Sequence, residues 1–165
     1  MYDSNEYRAS NNWPYAISAG CVVYRDVDGQ TQVLLLRRTP DHSYNMTNED
    51  TYNLPKGHVD LTERLDQAAQ RETEEEAGCE SEITTYLGAH IRSFLLPKYK
   101  VPNQKTTHYF AAKWKRDLDA IDSERDEKAW VSIEKAKELL GSPNPKGEDE
   151  FIVRLEKFLE LTRAS

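Results

Sequence analysis

Apolar positions along this chain fall into short runs separated by polar turns. Ala16–Arg25 (AISAGCVVYR) is β-branched and apolar enough for a core strand, and Gln32–Arg38 (QVLLLRR) reads as its returning partner. Asp26-Val27-Asp28-Gly29 between them predicts a turn and hence a hairpin. Thr39–Thr51 is a polar loop carrying Pro40, Asn45 and Asn48, long enough to suggest a substrate-facing role. Tyr52-Asn53-Leu54-Pro55 reads as a short extended piece. Leu65–Ala77 has the composition of a helix, with Gly78 as its stop signal. Strands are predicted at 83–95 and 106–114, separated by a loop with Pro97 and Pro102, and again at Ala129–Ile133. Ser132 is placed to cap a helix running to Leu140. After a Pro/Gly-rich loop at 141–148, Asp149 is expected to cap a last amphipathic helix with Phe151, Leu155, Phe158 and Leu159 on one stripe. No repeat or linker interrupts the pattern. Strands interleaved with a few helices predict one α/β or α+β sandwich over 14–163, preceded by a flexible polar arm at 1–13.

Composition narrows the class. A chain of 165 residues suits a single domain with its own core. Two cysteines, Cys21 and Cys79, read as free thiols in a reducing compartment. No apolar run approaches the roughly 18–20 residues of a membrane span, and the first residues lack the basic start and apolar stretch of a signal peptide. The expectation is a cytoplasmic monomer with no membrane partner, although a secreted protein with its signal trimmed would look the same. A net charge of −7 argues against a general nucleic-acid binder. That average conceals an asymmetry: residues 83–116 contain no Asp or Glu but carry Arg92, Lys98, Lys100, Lys105, Lys113, Lys115 and Arg116. Such segregation can fold into one face that collects cations and another that collects anions, or it can leave lysines pointing to solvent.

The candidate chemistry lies in residues 57–79, GHVDLTERLDQAAQRETEEEAGC. At about 100° per residue, Leu65, Ala68, Glu72, Glu75 and Glu76 share one helical stripe that begins apolar and ends in three carboxylates. Carboxylates at i, i+3 and i+4 repel one another, and a hard divalent cation such as Mg²⁺ relieves that repulsion. Arg71, on a neighbouring face, can hold one carboxylate through a bidentate pair. A Glu-rich helix by itself is usually a solvated face, so the spacing decides. Gly57, five residues, Glu63, seven residues, Arg71-Glu72, two residues, Glu75-Glu76, one residue and Gly78 reproduce every fixed position of the Nudix box. At roughly 7% per position, seven matches arise by chance with a probability on the order of 10⁻⁸. Thr73 and Cys79 depart from the box only where it usually has aliphatic packing residues.

The chain resembles the Nudix hydrolases over roughly residues 16–161. The resemblance implies an α/β/α sandwich around a mixed β-sheet and a metal-dependent attack of water on a phosphoanhydride. It implies that Glu72 and Glu76, with the carbonyl of Gly57, bind Mg²⁺ or Mn²⁺. Glu75 is implied as a metal ligand or the base that activates water, and Glu63, Arg71 and Gly78 as residues that hold the loop and orient the carboxylates. Ser18-Ala19-Gly20 with Leu34-Leu35-Leu36, Leu54-Pro55-Lys56-Gly57-His58-Val59-Asp60, and Ser123-Glu124 six residues before Trp130 are similar to the asymmetrical diadenosine tetraphosphate hydrolase type. That likeness implies phosphate contacts from Lys56 and His58, a metal approach by Glu124, and phosphate or base contacts from Lys105 and Tyr109. Arg38, ending the returning strand, joins the substrate set. Tyr109 could equally be a core aromatic, Glu124 a solvated charge, and His90 and His108 surface or core histidines. Leu61-Thr62, Tyr52 and the long 39–51 loop depart from that type on the substrate side.

The expected activity is hydrolysis of a dinucleoside polyphosphate, diadenosine tetraphosphate to ATP and AMP. The rival is a diphosphoinositol polyphosphate phosphohydrolase, which needs mostly Lys and Arg, whereas a dinucleotide site should also offer aromatic faces such as Tyr44, Tyr52, Tyr99 and Tyr109. A non-catalytic nucleotide-binding module has little reason to concentrate repelling carboxylates, and no basic flank suits a messenger-RNA substrate.

Overall fold

A computed structural model describes residues 14–42, 45, 47–95, 101–118, 127–141 and 147–164, without the side chain of Phe94. The arm expected at 1–13 lies outside them, as do Tyr44, Tyr99, Lys98, Lys100 and Glu124. The elements in chain order are β1 (Tyr15–Val27), β2 (Gln30–Arg38), β3 (Thr51–Asn53), β4 (Lys56–His58), α1 (Leu65–Ala77), β5 (Cys79–Phe94), β6 (Asn103–Asp117), β7 (Glu127–Ser132), α2 (Ile133–Gly141) and α3 (Asp149–Arg163). The hairpin forms as expected. Asp28 and Gly29 both take positive φ, 51° and 79°, the backbone that a two-residue turn matched to strand twist requires.

All seven strands share one mixed sheet, with β3-β2-β1-β6-β5 in order, β4 against β1 and β7 against β2. Parallel pairing of β1 with β6 runs from Tyr15↔Gln104 to Tyr24↔Lys113, and the other pairs are antiparallel. Continuous apolar runs in β1 and β2 follow from burial on both faces. Cys21, Val23, Leu34 and Leu36 pack with Ala68, Ala69 and Ala77 of α1. Val22, Tyr24, Val33 and Leu35 point the other way, onto Ala136 and Leu140 of α2 and Phe151, Ile152, Leu155 and Leu159 of α3. The result is the expected α/β/α sandwich.

Several boundaries differ from expectation. β5 starts before the expected 83 and ends at Phe94, and β6 extends beyond 106–114 at both ends, because the two strands pair from Phe94↔Asn103 to Cys79↔Asp117 despite polar sequence there. β4 escapes a reading of apolar runs, since Lys56-Gly57-His58 contains none and is recruited by pairing with Ser18–Gly20. Asp149 is the first helical residue of α3 and Glu148 precedes it, without a side-chain cap. Ser132 does cap α2, its hydroxyl accepting the Lys135 amide at 3.1 Å. No helix among the described residues is long and apolar enough to cross a membrane.

Candidate active site

α1 begins where Gln67 Oε1 accepts the Arg64 amide at 3.1 Å, and it ends at Gly78, whose left-handed backbone (φ 61°) lets its amide reach Glu74 O at 3.0 Å. Ala69, Thr73 and Ala77 form its buried line, with the Thr73 hydroxyl satisfied by Ala69 O at 2.7 Å. Thr73 and Cys79 are therefore the packing positions that their place in the box indicated. This line rolls the carboxylates to the margin of the interface. Glu72 is partly buried, its side chain 13% exposed, whereas Glu75 stands 59% exposed. Three carboxylates sharing a stripe in sequence thus split into inward Glu72 and Glu76 and outward Glu75.

Arg71 organises the cluster. Its guanidinium donates to both oxygens of Glu63, to Glu72 Oε1 at 2.9 Å, to the His58 carbonyl at 3.0 Å and to Glu75 Oε2 at 3.3 Å. Glu63 in turn accepts the Asp60 amide at 3.1 Å, so the loop from β4 is fastened to α1. The Arg71 guanidinium holds the Glu63 carboxyl below the usual carboxylate range. Glu76 accepts the Lys56 amide at 3.1 Å, and burial pushes its carboxyl up to about 7. A Cβ on Gly57 would overlap the Glu72 carboxylate, and one on Gly20 would overlap the Pro55 carbonyl. Gly20 is therefore required by backbone approach, whereas a side chain at Gly57 would displace the Glu72 carboxylate.

Among the described residues, no three acidic, cysteine or histidine side chains are gathered tightly enough to hold a metal. The expected set of Glu72, Glu75 and Glu76 with Gly57 is adjacent but spread onto Arg71 and the Lys56 amide, as like charges must be when only fixed donors compensate them. The donors nevertheless fit a hard divalent cation. They are carboxylate oxygens, one of them desolvated, with Glu72 lying directly over Gly57.

A polar pocket opens beside this cluster. Arg38, Lys56, Arg92 and Lys105 bring four cationic side chains to its lining, and His90 joins them. Asn53, Thr107, Tyr109 and Glu148 complete it. Pocket and carboxylate helix meet at Lys56, whose amide is held by Glu76 while the residue lines the pocket. Burial, with Lys56 close beside it, pushes the Lys105 ammonium down to about 8.

Of the expected substrate residues, Arg38, Lys56, Lys105 and Tyr109 come together here. His58 lies in β4 outside this lining, with its carbonyl on Arg71. Tyr109 lines the pocket and is also a core aromatic: it is 1% exposed, its ring lies 4.7 Å from Phe151 at a 46° tilt, and its hydroxyl donates to Glu148. The acid-free segment does not act as one surface. Lys115 and Arg116 pair with Glu82 and Glu80, leaving Arg92 and Lys105 as its described contribution to the pocket. His90, Arg92, Asn53 and Glu148 were not among the expected site residues. Only the i+2 spacing of His90 and Arg92 on one strand could have hinted at the first two.

The family model for the NUDIX domain matches residues 14–154. This chain belongs to the Nudix family. As a Nudix hydrolase it acts on phosphoanhydride bonds of small phosphate compounds, and hydrolases of this family use divalent metal ions. It is 34% identical over 122 residues, 72% of this chain and 80% of the relative, to the asymmetrical bis(5'-nucleosyl)-tetraphosphatase of Caenorhabditis elegans. Its fold is similar to the binary complex of the C. elegans Ap4A hydrolase, with a TM-score of 0.61 and 23% identity over 88% of this chain and 98% of that one. It is also similar to the MutT protein of Methanosarcina mazei Go1, with a TM-score of 0.60 and 28% identity over 87% and 94%.

Proposed function

We propose that this Nudix hydrolase is a Mg²⁺- or Mn²⁺-dependent pyrophosphohydrolase of dinucleoside polyphosphates, releasing ATP and AMP from diadenosine tetraphosphate. The observation that carries the reading is Lys56, which joins a carboxylate cluster suited to cations to a pocket suited to phosphates. The C. elegans relative's name supports the substrate class. Glu72, Glu76 and the Gly57 carbonyl would hold the metal, which would polarise a phosphoryl oxygen and lower the pKa of bound water. Glu75, solvent-facing and held only loosely by Arg71, takes the proton of the attacking water. The water oxygen bonds to phosphorus, the bridging P–O bond breaks, and the departing phosphate carries the bridging oxygen. Arg71 and Glu63 position the carboxylates. Lys56, Lys105 and Arg38 neutralise the remaining phosphates, with Tyr109 as the pocket's wall; His58, outside the lining, is assigned a phosphate contact. Glu124, outside the described residues, is assigned an approach to the metals.

An inositol pyrophosphate substrate is the second reading, favoured by four cations around a pocket whose tyrosine, Tyr109, is buried. A phosphorus NMR product assay with Mg²⁺ separates the two readings, using dinucleoside polyphosphates, inositol pyrophosphates and capped RNA. ATP plus AMP from diadenosine tetraphosphate, abolished by a chelator, is the expected result. Turnover of inositol pyrophosphates alone would transfer the assignment to the second reading.

A further inference from the structure

The pocket collects cations, yet one wall is a carboxylate. Glu148 is 3% exposed and enters the lining from the residue just before α3. Its place is set by the backbone: Gly147 has φ 85° and packs against the His90 ring so closely that a Cβ there would lie 2.5 Å from Nε2. The turn directs Glu148 inward. Its Oε1 accepts the Tyr109 hydroxyl at 3.2 Å and its Oε2 accepts the Leu54 amide at 3.2 Å. Both partners are neutral, so neither bond cancels the charge. A buried carboxylate without a cation to face is costly, and here Lys105 and its cationic neighbours supply the compensation.

We infer that Glu148 is a specificity-determining residue, its fixed negative charge limiting how many phosphates the four-cation pocket accepts. The inference rests on the pocket being the phosphate subsite proposed above. A short phosphate chain is neutralised by the cations nearest the carboxylate cluster. Each further phosphate pushed into the pocket competes with Glu148 for those cations and is repelled by it, in surroundings where screening is weak. A purely structural role would need only the two hydrogen bonds. Glutamine can make both: its carbonyl accepts from Leu54, and its amide donates to the Tyr109 oxygen, because a phenol hydroxyl is donor and acceptor alike. Glu148→Gln therefore removes the charge and keeps both contacts, the one to Tyr109 with donor and acceptor exchanged, whereas Tyr109→Phe removes one bond and leaves the charge.

The test is calorimetric binding of inorganic pyrophosphate and tetrapolyphosphate without divalent metal. KM and kcat are measured in parallel for dinucleoside polyphosphates of three to six phosphates, with thermal melting as the fold control. Glu148→Gln should bind tetrapolyphosphate on the order of ten-fold tighter with a smaller change for pyrophosphate, and KM should fall most for the longest substrate. Tyr109→Phe should leave that chain-length ratio unchanged. Equal effects at every length, weaker binding in Glu148→Gln, or failure of that variant to fold would each overturn the inference. Absence of hydrolysis in the unsubstituted enzyme, with the chain-length effect on binding intact, would instead sink the substrate assignment and leave Glu148 its role.

Discussion

Arg71 grips Glu63 through two parallel hydrogen bonds, Nε to Oε2 at 2.7 Å and Nη2 to Oε1 at 2.9 Å. The pair closes the loop between β4 and α1 with little access to water, Glu63 being 14% exposed. Charge-assisted bidentate geometry makes this a strong contact. Glu63→Gln should lower stability by about 1–3 kcal/mol in urea unfolding at neutral pH. Because the folded Glu63 carboxyl is held below its unfolded range, its contribution is present above that range and lost as pH falls through the folded value. The glutamine variant should therefore show less loss of stability on acidification, and parallel acid profiles would refute the assignment.

Among the described residues Glu75 reaches Arg71, at 3.3 Å or more, and it is mostly in solvent. Its replacement by glutamine should leave the melting temperature unchanged. Turnover should fall by at least about 100-fold, the usual scale for a lost catalytic base. Near-wild-type turnover in saturating Mg²⁺ would move the role to Glu124.

Half-buried Lys105 lines the pocket from the strand position two before Thr107 and four before Tyr109. A metal held on the carboxylates would neutralise only the phosphates it touches, so the rest would depend on such side chains. Lys105→Ala should raise KM more than it lowers kcat, as for binding shared by ground and transition states. The penalty should grow with phosphate number and shrink with added salt. Steady-state constants for short and long substrates at two ionic strengths decide it, and a penalty independent of chain length would mark Lys105 as a packing residue.

Cys21 and Cys79 are both fully buried, and burial pushes their thiols up to about 12 and about 11. Neither should react with a thiol reagent at pH 8 in the native state, because the thiolate is the nucleophile. Both should react once denaturant opens the sandwich. Rapid labelling of the folded protein would contradict the burial of Cys21 in β1 and of Cys79 at the start of β5.

Sequence alone determined the hairpin, the bounds of α1 and the composition of the carboxylate cluster. Each depends on near neighbours: Asp28-Gly29 at positive φ, a helical period, and a box whose spacing places Arg71 beside Glu72 and Glu75. What it could not determine is which way a strand residue faces once paired, or which distant segments meet. Lys105 and Lys115 both belong to β6, yet one lines the pocket and the other pairs with Glu82, because they stand near opposite ends of the strand, where pairing sets them beside different partners. Lys56-Gly57-His58 became a strand only because Gly20 lets the Pro55–Lys56 backbone lie against β1. Glu148 joined the site through a bond to Leu54, 94 residues away, which no local pattern announces. Local chemistry follows from spacing along the chain, but the sign of the charge lining a cavity is the sum of side chains that only packing brings together.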